Sequence, residues 1–394
     1  MADRNASFDP NSGFEPGPQS GAMSGSARRR RRRYIVTLVL FVALIGGWSW
    51  FWYFAAGKAE VTAAGWRARE AKAGRIYACG SQTVGGYPFR IEIDCDQASA
   101  LFQSNQAPLQ LKTASILAAA QIYDPTLLIS EFTGPLSIAT PGHAPDYIAN
   151  WTLGQSSVRG TPQAPERVSI VFEHPTFDRV SGGSRVNLLR AKRIELHGRI
   201  VEGSVTHNPV IETVLRLADA SAPGLNAAAV QPVDADITAL LRGLNDFSPK
   251  PWPVRFREIQ AAGGRIDIVR SRVQQGETIA VGGGTLSINA NGQLEGELRV
   301  TVAGVEPFLA EIGAQQAVQN SAPMDKLAGA LNRLSPGLGD VARQQAGANI
   351  SAGLNLIGQP TTLEGRRALT LPLRFSDGAV FLGPVPIGHT PALF

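Results

Sequence analysis

Twenty-one residues without a single charge, Tyr34 to Phe54, follow directly on six consecutive arginines. As a helix the uncharged run extends about 31 Å, close to the hydrocarbon thickness of a bilayer. It therefore reads as a membrane anchor. Positive charge beside a span stays cytoplasmic, so Arg28, Arg29, Arg30, Arg31, Arg32 and Arg33 place the N-terminus inside and export the rest. Trp48, Trp50, Phe51, Trp52, Tyr53 and Phe54 close the run, and such aromatics favour the membrane–water boundary. The other reading is a cleaved signal peptide, for which Ala55-Ala56-Gly57 supplies small residues. The bulky aromatics at the exit argue for an uncleaved anchor.

Charge distribution removes one class of partner. Residues 1–54 hold seven Lys and Arg against three Asp and Glu, leaving thirty against twenty-nine in the remainder. The excess basicity belongs to the N-terminal arm, and the main domain carries no footprint for nucleic acid. Residues 1–33 read as a disordered cytoplasmic tail ending in the arginine run, and residues 55–74, rich in alanine, as a juxtamembrane helix.

Residues 75–394 read as an exported, mainly β domain of α+β class, with antiparallel curved sheet and a few packing helices. Strand patterns occupy Leu109–Tyr123, Thr126–Phe132, Tyr147–Arg159, Val168–Phe177 and Val186–Val201, punctuated by Gly, Pro and Asn. Asn208-Pro209 then opens a helical reading to about Ala220, and Asp234–Phe247 reads as a second helix broken at Pro249-Lys250-Pro251-Trp252-Pro253. The domain thus divides into halves, 75–205 and 250–394, joined by a helical segment, 206–249. In the second half Asn291-Gly292 and Asp377-Gly378 signal hairpins, and Val305–Ile312 and Pro323–Leu334 read as helices. A loose unit of two or three strands followed by a helix recurs.

Cys79 and Cys95 are the only cysteines. In an oxidising compartment such a pair is expected to form a disulfide. In the strand Phe89–Asp96 the alternation puts Phe89, Ile91, Ile93 and Cys95 on one face, and Arg90, Glu92, Asp94 and Asp96 on the other. Cys95 therefore points with the core residues. A spacing of sixteen is not the Cys-x-x-Cys of an oxidoreductase, and no histidine stands nearby to complete a zinc site.

The search for chemistry finds scattered polar residues. His143, His174, His197, His207 and His389 show no metal-ligand spacing, and His197 reads as a surface residue. Gly337-Leu338-Gly339-Asp340-Val341-Ala342 follows a helical pattern where a dinucleotide turn needs a strand. The carboxylates of Glu92, Asp94 and Asp96 form a solvated face, Asp234 and Asp236 suit a helix start, and Arg366-Arg367 suits an exposed turn or a lipid phosphate. No catalytic, cofactor-binding or metal-binding residue is assigned, and a non-enzymatic role is expected.

Three stretches carry a family resemblance: Gly85-Gly86-Tyr87-Pro88-Phe89-Arg90-Ile91 with its flanking cysteines, Gly283-Gly284-Thr285-Leu286-Ser287-Ile288 through Asn291-Gly292 to Gly296-Glu297-Leu298, and Phe375-Ser376-Asp377-Gly378 with Gly383-Pro384-Val385-Pro386-Ile387-Gly388. Together they resemble the bacterial envelope family known as domain-of-unknown-function 2125. That resemblance implies a membrane-anchored envelope protein and no catalytic residues. The anchor followed by long β meanders is also similar in architecture to AsmA-type proteins. The expectation is an inner-membrane protein with its C-terminal domain in the periplasm. Its concave apolar sheet face would handle lipid. The alternatives are a scaffold for other envelope proteins and an unrecognised hydrolase.

Overall fold

A computed structural model describes residues 24–103, 108–161, 164–224, 230–248, 250–304, 358–382 and 385–394. The helical readings at 305–312 and 323–334, the glycine-rich stretch 337–342 and residues 1–23 lie outside them. Helix α1, Ser24–Lys72, runs without a break through the arginines, the apolar run and the alanine-rich stretch. The arginine run is therefore helical, where a disordered tail was expected; backbone hydrogen bonding propagates cheaply once a helix is nucleated by the apolar segment. The chain divides into two compact units at Phe54/Ala55, with α1 crossing the boundary. Among the described residues α1 is one helix long and apolar enough to cross a membrane, and a signal sequence passes the same test.

The second unit is mainly β and wholly antiparallel in its pairing. Its first strands are β1 (Arg75–Ala78), β2 (Ser81–Gly85), β3 (Arg90–Asp96), β4 (Ser99–Phe102), β5 (Leu109–Lys112), β6 (Ser115–Gln121), β7 (Asp124–Thr133) and β8 (Leu136–Ala139). Then come β9 (Tyr147–Asn150), β10 (Leu153–Thr161), β11 (Ala164–Glu173), β12 (Thr176–Ser181), β13 (Ser184–Arg190) and β14 (Arg193–Ser204). The chain deals these strands alternately to two sheets. The smaller sheet has the order β1-β4-β5-β8-β9-β12-β13, and the larger opens β2-β3-β6-β7-β10-β11-β14.

The alternation arises because each long strand is creased. Only two residues separate β3 from β4, β5 from β6, β7 from β8, β9 from β10, β11 from β12, and β13 from β14. Hydrogen bonds continue through the crease, from Thr113 N to Ala98 O at 2.9 Å and from His174 N to Lys192 O at 2.8 Å. The continuous readings Leu109–Tyr123 and Tyr147–Arg159 are thus each one strand folded over at its middle. Creases use residues that tolerate unusual backbone: Gln97 and His174 adopt positive φ, and Gly134-Pro135 is cis. The recurring unit is therefore a creased hairpin and not strands followed by a helix.

Beyond β14 the creases stop. β15 (His207–Ala220), β16 (Val233–Arg242), β17 (Arg265–Gln275), β18 (Thr278–Ile288) and β19 (Leu294–Ala303) continue the larger sheet in sequence order, followed by β21 (Arg366–Ser376), β22 (Ala379–Leu382) and β23 (Val385–His389). β20 (Gln359–Leu363) pairs with β21 at one side. The helical reading of 206–249 is overturned by β15 and β16. In β15 Ile211, Thr213, Leu215 and Leu217 alternate with Glu212, Val214 and Arg216, and β14 and β16 flank it on both sides. Short apolar runs satisfy both periods, and the waiting strand edges decide between them. Pro209 is fully buried in the strand that it was expected to convert into a helix. Asn291-Gly292 does join β18 to β19, and Asp377-Gly378, both with positive φ, joins β21 to β22.

The one described helix of this unit outside α1 is α2, Trp252–Ala261. The proline cluster read as a breaker starts it: Pro251 is the N-cap and a proline occupies its first turn, where no amide partner is lost.

Candidate functional site

Pairing register shows which side chains share a face of the larger sheet. One row crosses the strands as Ile93, Ala118, Ser130, Ser156, Ile170 and Leu196. It continues through Leu215, Ile237, Ser271, Gly282, Val300 and Leu371. Its neighbour begins at Cys95, Ile116, Phe132, Gly154, Phe172 and Ile194, and ends at Val302 and Leu369. Neither row contains a charged residue. Along these rows one face is thus uncharged and mostly apolar from β3 to β21.

The other face carries the charge. Arg199 grips Glu212 on the neighbouring strand through two hydrogen bonds of 2.7 and 3.0 Å, Arg216 lies 3.4 Å from Asp236 on the next strand, and Arg272 reaches Glu364, in the turn between β20 and β21, at 2.8 Å. His197, expected at the surface, lies on this charged face, 2.9 Å from Glu195. That hydrogen bond, with Arg193 beside it, holds the Glu195 carboxyl below its ordinary range. Asp234 and Asp236, read as helix-start carboxylates, are instead ladder residues of β16; Asp234 accepts the Asp219 amide at 2.9 Å. Arg366 pairs with Glu277. Glu92 pairs with Arg90 at 2.8 Å, and Asp96 accepts Ser81 Oγ at 3.0 Å. Among the described residues no group of three His, Cys, Asp or Glu side chains is placed to hold a metal ion.

Cys79 and Cys95 are joined, with Cα atoms 5.3 Å apart. Cys79 directly follows β1 and Cys95 lies in β3, so the bond staples the smaller sheet to the larger beside the first crease. Trp151 fills the crease between β9 and β10 on the apolar side. Its ring centroid is 4.9 Å from that of Phe172, and its Nε1 donates to Phe132 O at 2.7 Å. Gly154 is required there, because a Cβ would strike the indole.

Cover over the apolar face is uneven. Leu128 and Leu196 remain 41% and 42% exposed, whereas Leu371 is 2% exposed. Near β16–β18 the cover is α2, and between them lies a cavity of about 320 Å³. Its floor is the same apolar face, at Ile211, Leu241, Ile266, Leu286 and Ile288, and its roof is Phe256 and Ile259. The helix can return this closely because Gly243 and Gly264 touch: a Cβ on Gly264 would strike Ile259. At one end Arg255, 8% exposed, donates to Asp246 O at 2.6 Å and lies 3.2 and 3.3 Å from the carboxylates of Asp246 and Glu258. Lys250 pairs with the same two acids. Donation from Ser248, with Arg255 and Lys250 nearby, holds the Asp246 carboxyl far below its usual range. The sequence reading missed this cluster, whose only signal was the proline-flanked Lys250 and Trp252.

No curated protein and no solved structure matches the chain. A family model described as "Uncharacterized protein conserved in bacteria (DUF2125)" matches residues 52–391. With most of its length so covered, from the end of the apolar run to the last strand, the chain belongs to the DUF2125 family of bacterial proteins.

Proposed function

We propose that this protein is a non-enzymatic envelope protein, held in the inner membrane by α1, with the arginine run cytoplasmic and the β unit in the periplasm, and that the apolar sheet face receives lipid acyl chains. The carrying observation is the uncharged face itself, which runs across the larger sheet with Leu128 and Leu196 nearly half exposed. Half-exposed leucines in a contiguous apolar face leave a burial gain of about 25 cal/mol per Å² for a ligand to collect. On the charged face Arg199, Arg216 and Arg272 are already paired with carboxylates, so these cations offer little to an ionic partner.

The test is photo-crosslinking in cells from a benzoylphenylalanine placed at Leu128 or Leu196, with Arg199 and Arg216 on the charged face as controls. Lipid adducts at the leucines and not at the arginines are expected. Protein adducts at the leucines would replace this reading with the scaffold alternative.

A further inference from the structure

We infer that the cavity beneath α2 is an end pocket for a single alkyl chain of an amphiphile lying on the apolar face, an inference that rests on the lipid reading above. Its floor is continuous with that face in register, since Leu241, Ile266 and Leu286 occupy directly paired positions of β16, β17 and β18. At about 320 Å³ it stands at the small end of ligand pockets, sized for part of one hydrocarbon chain and not for a headgroup. A mostly hydrophobic lining of this kind admits apolar guests.

The charge around it selects the same occupant. Arg255 and Lys250 are matched by Asp246 and Glu258, and Arg265 by Asp267 at 3.1 Å. The cations at the border are thus already engaged, and an anionic headgroup would have to displace a carboxylate from each. Hydrocarbon meets no such competition. At the rim, Trp252 is 71% and Phe247 39% exposed, giving an entering chain aromatic surface before it reaches the interior.

The test uses full-length protein in lipid nanodiscs and palmitic acid carrying a diazirine near its methyl end, with adducts mapped by mass spectrometry. Adducts are expected within Leu244–Ile259 and around Leu286. They should fall at least tenfold in Leu241→Phe and Ile266→Phe, which fill the cavity, while adducts around Leu196 persist. Two variants guard against one of them failing to fold, and a thermal midpoint no lower than wild type shows that each is intact. Adducts around Leu196 with none near α2 would overturn the pocket and leave the lipid reading standing. Adducts at neither place would overturn both. Adducts near α2 that survive both folded variants would also overturn the pocket.

Discussion

Residues 75–192 and residues 193–304 build on the same apolar face by different means. In the first region every long strand is creased, and the corner is filled from within by Trp151 and by Ala98 and Ala191, both buried. In the second, beyond β14, whose crease with β13 is the last, the strands run ten to fourteen residues uncreased, and irregularity takes the form of bulges, as between Thr238 and Ala239. The first region therefore folds its own sheet over, and the second relies on α2, a separate element, for local cover. The difference shows that a single apolar face can be closed by bending the ladder or by capping it. A cap with a cavity beneath it leaves room for a guest, and a crease packed by an indole is filled at its corner.

The largest expected effect tests the crease. Trp151→Ala removes a ring packed on Phe172 and strands the Phe132 carbonyl, a loss of about 3–5 kcal/mol. Denaturant unfolding measures it, and hydrogen exchange locates it. Protection lost only in residues 75–192 keeps the two regions distinct, and equal loss in 193–304 makes them one cooperative unit. Next comes the staple. Replacing Cys79 and Cys95 by alanine releases a loop of sixteen residues and should cost about 3 kcal/mol in the chain-entropy model. The exchange should appear around β1 to β4; a midpoint unchanged by the double substitution would show the crease to be self-sufficient.

The smallest effect is acid sensitivity, and it should fall on the second region. The carboxyls of Glu195, Glu212, Asp246 and Glu364 are all depressed: a histidine donates to the first, serine to the third, and arginine to the other two. A depressed carboxyl stabilises the fold above its unfolded value of about 4 and loses that contribution as pH falls through its folded value. Hydrogen exchange followed downward from about pH 4 should therefore show β14 to β16 and the α2 segment opening ahead of β3 to β11. The reverse order would remove the ladders from any account of why the uncreased region holds together.

Much of this architecture is legible in the sequence. The two-residue alternation of Phe89–Asp96 places Cys95 on the apolar face, where it bonds Cys79. Asn291-Gly292 and Asp377-Gly378 turn where their left-handed preferences require, and the resemblance to the DUF2125 family is matched over residues 52–391. Residues 206–249 were misread because Ile237, Leu240, Leu241 and Leu244 fit a helical stripe as well as Ala235, Ile237, Ala239 and Leu241 fit a strand face. Local periodicity is degenerate over so short a run.

What the sequence by itself determined is what depends on a residue and its near neighbours: an uncharged run of bilayer length, strand alternation, and turns that need positive φ. The tertiary structure alone decided the creases, the apolar face shared by distant strands, and the pocket under α2. Each of these depends on which strand edges meet, and register is fixed by pairing partners far apart in the chain, not by any residue acting locally.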